Sequence, residues 1–166
     1  MIFADLPSGE SVFVDANTFV YHFTPHPTFK VACSDLLDRI EHGDVLGFSS
    51  THVISDVAHR LMTMEAMQRN GWPASGIAQR LRKHAQEIGH LTIFRQAVDE
   101  IPRLGLRIVV PQFSIVSAAA AISQQYFLLS GDALIVALMQ QFGISSLASH
   151  DADFDRVPGI GRYSPA

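Results

Sequence analysis

The sequence of 166 residues contains one cysteine, Cys33, so neither an internal disulfide nor a multi-thiolate zinc site is available to it. A reducing, cytoplasmic setting fits that count, with Cys33 read as a small core residue. Long hydrophobic runs are missing as well. Stretches such as Ala133 to Met139 fall far short of the roughly 18 residues a membrane span needs. Met1 to Glu10 has no basic cluster followed by an apolar run and does not resemble a signal peptide. A soluble protein with no membrane partner is therefore expected. No Gly-rich phosphate loop, H-E-x-x-H or G-x-S-x-G motif occurs, and no linker or composition break divides the chain. Glutamate is scarce, five against eleven aspartates. Surplus Asp belongs at turns, caps or metal sites more than on solvated helix faces.

Hydrophobic residues at 48% and charged residues at 17% exclude a disordered chain and leave a core large enough for one domain, residues 1–166. The formal charge of −4 conceals an uneven distribution. From Arg60 to Arg107 there are eight basic residues against four acids, and the rest of the chain has four against twelve. Most of that basic surplus lies in the predicted helical stretches between Ala74 and Ile101.

Ser11 to Val14 (SVFV) reads as a buried strand running into the turn Asp15-Ala16-Asn17. Val31, Leu36, Leu37 and Ile40 give a helix stopped at His42-Gly43, and Asp44 to Phe48 a second strand. Ser49-Ser50-Thr51 caps a long helix with the stripe Val53, Val57, Leu61 and Met64. After the break Asn70-Gly71-Trp72-Pro73, helices are predicted at Ala74 to Ile88 and Leu91 to Ile101. A strand at Leu106 to Val110 follows, then helices from Ser114 to Gln125 and from Ser130 to Gly143, and a strand at Ile144 to Ala148. Alternating strands and helices predict an α/β fold in three layers, a central parallel sheet of four to five strands with helices on both faces. Sites in such sheets form beyond the carboxyl ends of the strands.

Asp15 stands at the end of the first strand, Asp151 lies just past the last, and Asp56 and Asp132 lie early in two helices. Four carboxylates converging at one sheet edge make a site for a hard cation, Mg²⁺ or Mn²⁺. Each also has a plain structural reading. Asp15 suits a turn, Asp56 an ion pair with Arg60 four residues on, Asp132 a helix cap, and Asp151 a cap or turn. The run Asp151, Asp153, Asp155 is not a calcium loop, because Arg156 and Arg162 occupy the positions that need Gly and Glu. Asp153 is left as an auxiliary ligand, and Asp155 as a partner of Arg156 or solvent. The histidines read as polar-core or surface residues. His150 alone stands at an edge where a ring reaches a substrate phosphate.

The order of motifs is more informative than any one of them. V-F-V-D-A-N-T-F-V-Y at 12–21, S-S-T-H-V-I-S-D-V-A-H-R-L at 49–61, S-G-D-A-L-I-V-A-L at 130–138 and A-S-H-D-A-D-F-D-R-V at 148–157 together resemble a PIN-domain nuclease, in style a VapC-type toxin. The resemblance spans nearly the whole chain and implies a single PIN domain over residues 1–166, with the length in excess of many such toxins lying at about 67–104 as a basic helical insertion. It places Asp15, Asp56, Asp132 and Asp151 on the family's acidic tetrad, and Asn17 and Ser149 on its nearby polar positions. Position 56 is usually Glu in the family and is Asp here. The resemblance implies a PIN-like fold and an Mg²⁺- or Mn²⁺-dependent endoribonuclease. Asp15, Asp132 and Asp151 would ligate the metal, and Asp56 would bind a second metal or orient water. It also implies a homodimer and a small VapB-like antitoxin that covers the site.

RNA needs cations beyond the metal, and Arg80, Arg82 and Lys83 are the candidate phosphate contacts, against the plain reading of a solvated helix face. A different class of function is a catalytically impaired PIN-fold module that binds RNA or protein, which Asp at position 56 favours. A haloacid-dehalogenase-type phosphatase needs a second Asp where Asn17 stands.

Overall fold

Short apolar runs bounded by turn residues become five strands, and every pairing between them is parallel. The computed structural model describes residues 1–166. In chain order the strands are β1 (Ser11–Val14), β2 (Leu46–Ser50), β3 (Arg107–Val109), β4 (Ser146–Ala148) and β5 (Gly161–Tyr163). They lie in the order β3-β2-β1-β4-β5. The chain builds outward from β1 to β3, then returns to place β4 on the other side of β1. That reversal opens a crevice beyond the carboxyl ends of β1 and β4, where an open parallel sheet binds its ligands.

The helices are α1 (Ala16–Phe23), α2 (Lys30–Glu41), α3 (Thr51–Asn70), α4 (Ile77–Lys83), α5 (Ile93–Glu100), α6 (Phe113–Tyr126) and α7 (Ser130–Phe142). Val12, Phe13, Val14, Leu147 and Ala148 are wholly buried, so the central strands are covered on both faces. One core of 35 buried side chains joins sheet and helices. Each large one contributes about 1.5–3 kcal/mol by leaving water. Gly47 is required where α2 crosses β2, since a Cβ there would meet Ile40 Cγ2 at 2.6 Å. Gly143, at φ 65°, ends α7 in the left-handed conformation that glycine adopts without strain.

Several boundaries differ from the sequence-based expectations. The second strand begins at Leu46, because Asp44 is held by Arg39 Nε at 2.6 Å and lies in the turn before it. The expected helix over Ala74–Ile88 breaks at His84, whose ψ of 54° is not helical, and continues as a 3-10 segment, Ala85–His90. On α3, Val53, Val57 and Leu61 are buried as expected, but Met64 is exposed and Ala66 is buried in its place. Ala66 packs with Leu81 and Leu91 in a separate cluster of three, whereas Ala97 and Ile101 belong to the main core. The fifth strand, Gly161–Tyr163, was not placed by sequence periodicity. Cys33 is fully buried, and burial pushes its thiol up to about 12.

No single helix is long and apolar enough to cross a membrane. The pair α6 and α7 reaches that length and composition only together and is bent by 113° between them.

Candidate active site

β1 delivers Asp15 to the crevice and α1 begins on the next residue. Asp15 is the N-cap of α1, with Oδ1 accepting from the Ala16 N–H at 2.6 Å. Its other oxygen accepts from Asn17 Nδ2 at 2.6 Å and from Ser149 Oγ at 2.8 Å. Ser149 directly follows β4, so these bonds tie β1 to β4 across the switch point. Ser149 Oγ also accepts from Asn17 Nδ2 at 3.1 Å and from the Asp151 N–H at 3.0 Å. Asn17 Oδ1 accepts from the His150 N–H at 3.1 Å. Every polar atom of Asn17 and Ser149 is therefore used to fix Asp15 and the loop after β4. A buried network satisfied in this way is rigid. Burial pushes the Asp15 carboxyl above its ordinary range and the nearby negative Asp56 adds to that, while Ser149, the Ala16 N–H and the positive Arg60 pull it down.

Asp132 is handled differently. It stands in the first turn of α7, but the cap position is Leu129 and makes no side-chain cap bond. The helix-cap reading of Asp132 is thereby overturned, since no hydrogen bond from the protein reaches its carboxylate. Burial pushes it up to about 6, with further upward push from Asp15, Asp151, Asp153 and Asp56. Those four acids are thus near enough to act on it by charge. Asp151 caps the 3-10 turn Ala152–Arg156 by accepting from the Asp153 N–H at 2.9 Å.

Asp153 is half-buried and its carboxylate pairs with Arg156 at 2.7 Å. Asp155 pairs with Arg162 of β5, not with Arg156. Its two oxygens receive Nε and Nη2 at 2.7 and 2.9 Å, and Arg162 Nη1 donates to the Ser149 carbonyl at 3.3 Å. Asp56 is exposed and lies 3.7 Å from Arg60, the ion pair anticipated for that spacing. It also acts on both Asp15 and Asp132, so the pair sits at the rim of the acidic group.

Hard oxygen donors crowded about Asp132, with Arg60 and Arg156 paired to Asp56 and Asp153 but no cation bonded to Asp132 itself, suit a divalent cation in chemistry and in charge. No three carboxylate, imidazole or thiolate groups lie close enough to enclose one ion as the side chains stand. The fit therefore rests on the donor set and the unbonded, charge-crowded Asp132.

Three neighbours were not singled out by sequence. Arg60 is a cation felt by Asp15 and Tyr21, and its i,i+4 spacing from Asp56 was the available signal. His52 bonds Ser50 Oγ through Nδ1 at 2.7 Å, and burial pushes the ring below the ordinary histidine range. Tyr21 lies on α1 one turn beyond Asn17. The expected phosphate contacts are elsewhere. Arg80, Arg82 and Lys83 are exposed on α4, which packs near Ala66, ten residues and so about 15 Å beyond Asp56 along α3. An apolar groove of about 510 Å³ lies between the α1–α2 turn and α3, bordered by Pro25, Leu61, Met64, Trp72 and Ile93. Its one acid, Glu65, is engaged by the N–H groups of Thr92 and Ile93 at the start of α5.

A parallel sheet with carboxylates gathered at its switch point defines an acidic α/β site. The sequence matches the PIN domain family over residues 12–160, and the chain belongs to that family. Within it the chain is a homologue of the VapC ribonucleases. It is 27% identical over 146 residues to Ribonuclease VapC2 of Methanocaldococcus jannaschii, covering 88% of each chain. Its fold is similar to that of Mycobacterium tuberculosis VapC20, described as a Sarcin-Ricin loop cleaving toxin. The TM-score is 0.59 at 16% identity, over 87% of this chain and 92% of that one. A toxin–antitoxin complex from Klebsiella pneumoniae is also similar, with TM-score 0.52 at 18% identity, over 90% of this chain and 95% of that one.

Proposed function

We propose that the chain is a metal-dependent endoribonuclease that hydrolyses RNA phosphodiester bonds, the toxin of a toxin–antitoxin pair. The observation that carries this reading is Asp132, a carboxylate without a hydrogen bond, raised to about 6 beside Asp15, Asp151, Asp153 and Asp56. Asp15, Asp132 and Asp151 would hold Mg²⁺ or Mn²⁺. When bound, the ion supplies Lewis-acid activation of water and of the phosphate. Asn17 and Ser149 keep Asp15 turned into the crevice. Asp56, free in solvent apart from Arg60, orients the attacking water or meets a second ion, and its shorter side chain relative to Glu sets how far it reaches. Arg60 receives a phosphate oxygen at the rim. Arg80, Arg82 and Lys83 meet phosphates further along the strand.

The partners follow from the same reading: an RNA substrate, a small antitoxin of the VapB kind over the acidic crevice, and a second copy of the chain. For the second copy, the physical support is exposed apolar side chains at the two ends of α6, Phe113 at its start and Phe127 and Leu129 after its end, which are 86%, 80% and 78% exposed. Phe127 also holds a left-handed φ of 56°, alone among the non-glycine residues. Exposed apolar surface of this kind marks interaction sites.

The test incubates purified protein with structured RNA, with and without Mn²⁺, beside Asp132→Asn. Cleavage is expected only for the native protein with Mn²⁺. Cleavage that persists in Asp132→Asn or in excess chelator sinks the metal-nuclease reading. Metal-independent binding without cleavage of any RNA favours the binding module instead.

A further inference from the structure

Beside the acidic group lies a cluster of four rings that the proposed chemistry does not use. Tyr21 comes from α1, His26 and Phe29 from the turn between α1 and α2, and His150 from the loop after β4. His26 stacks on Phe29 with centroids 4.8 Å apart and planes 7° from parallel. Phe29 meets His150 at 4.6 Å, and Tyr21 contacts all three others at 4.6, 5.2 and 6.0 Å. Three of the rings are half-buried and His150 is exposed, so the cluster reaches the surface at His150.

The cluster is pre-set. His26 stands between Pro25 and Pro27, whose fixed φ stiffens the turn. Its Nδ1 accepts from the backbone N–H groups of Thr28 and Phe29 at 3.4 and 3.1 Å. That assigns the ring proton of the neutral form to Nε2 and locks the plane. The cluster is also tied to the acidic group. The His150 N–H is bonded to Asn17, which bonds Asp15, and His150 precedes Asp151. Tyr21 lies near enough to Asp15 and Arg60 to feel both charges.

We infer that Tyr21, His26, Phe29 and His150 form a stacking platform for an unpaired nucleobase of the RNA, next to the phosphate held at the acidic group. The inference rests on the RNA-cleaving reading of that group and adds a base-binding subsite to it. Aromatic and imidazole rings stack on the π face of any base, and a rigid platform loses little entropy on binding. His26 fixes the turn through its two backbone bonds, whereas the His150 ring makes no hydrogen bond and stands exposed at the rim of the crevice. The platform selects single-stranded RNA over paired RNA, because a base in a duplex keeps both faces covered by its neighbours.

The test measures binding in chelator, so that nothing is cut, with a labelled single-stranded RNA oligomer and an abasic ribose-phosphate oligomer of equal length and charge. The native protein is expected to prefer the base-bearing oligomer about ten-fold. His150→Ala, which removes an exposed ring and leaves the core intact, brings the two affinities close together, and His150→Trp keeps the preference. Phe29→Ala, checked for native circular dichroism, behaves as His150→Ala. Equal binding of the two oligomers by the native protein overturns the platform, as does a preference that survives both alanine variants. Binding of neither oligomer overturns it too and turns attention to a protein side chain as the occupant. Base preference with no cleavage of any RNA in Mn²⁺ leaves the platform standing and sinks the nuclease reading. Cleavage without base preference does the reverse.

Discussion

The crevice at β1 and β4 and the basic stretch around α4 place charge by opposite means. In the crevice, Asp15 is buried and both its oxygens are engaged, so its position follows from a closed network. Around α4, Arg80, Arg82 and Lys83 project into solvent from a helix of seven residues anchored by a cluster of three buried side chains. Their charge is available but not aimed. Chemistry at one phosphorus atom needs fixed geometry, whereas holding a flexible polyanion needs only cations within reach.

The largest separation between the two regions is expected from paired substitutions. Asp15→Asn should lower RNA cleavage by about 10³-fold or more, because the oxygen that would face the ion is lost. Its melting temperature should fall, because the amide nitrogen of Asn cannot accept from the N–H and O–H groups that bond the Asp15 carboxylate. The triple change Arg80→Ala, Arg82→Ala, Lys83→Ala should leave kcat unchanged. A triple variant with lost kcat would show that α4 shapes the crevice after all.

A second contrast concerns packing. Leu147→Ala lies under the crevice in the main core and should cost about 3 kcal/mol with loss of Mn²⁺ binding. Leu81→Ala should cost about 2 kcal/mol and leave Mn²⁺ binding intact, as chemical denaturation and metal titration would show. Equal damage to metal binding would merge the two regions into one cooperative unit.

A smaller effect is expected for RNA affinity. The α4 triple variant should bind single-stranded RNA about ten-fold more weakly at low salt and lower the salt slope by about 2, measured by anisotropy across a salt series. An unchanged slope would make α4 a solvated face and leave Arg60 as the nearer phosphate contact.

The smallest effect is electrostatic. Burial and the neighbouring acids push Asp132 up to about 6 in the fold, from 3.8 in the unfolded chain, so the folded chain binds this proton more tightly. The contribution of Asp132 to metal-free stability is then full below about pH 4 and is lost as pH rises through 6. The loss is about 1 kcal/mol, since the half-exposed group is partly screened by solvent. Asp132→Asn should flatten that fall, and Mn²⁺ should remove it in the native protein but not in the variant. Thermal melts from pH 4 to 8 would show either pattern.

Much of the framework was legible because the signals are local. Ser11 to Val14 is β-branched and aromatic and forms β1 with the same ends. Ser50 caps α3 by accepting from Val53 N–H, and Gly143 stops α7. Asp15, Asn17 and Ser149 were also legible, through the motif order, and the structure brings them together in one bonded group. What was hidden depends on partners distant in sequence. Asp155 finds Arg162 on a strand of three residues that periodicity could not detect. Asp132 sits in a first turn where most acids cap, and only its surroundings show that it does not. The ring cluster draws on residues as far apart as 21 and 150, each of which reads alone as an ordinary surface or core residue.

The sequence by itself determined the alternation of strands and helices, the four acids at strand ends and helix starts, and the uneven division of charge, because each depends on neighbours a few residues away. The tertiary structure decided which acids are bonded and which are left bare, that Arg60 stands at the crevice while Arg80, Arg82 and Lys83 stand apart, and that four rings meet beside it. Those outcomes depend on the strand order β3-β2-β1-β4-β5, which sets the residues after β1 and β4 side by side and which no local pattern encodes.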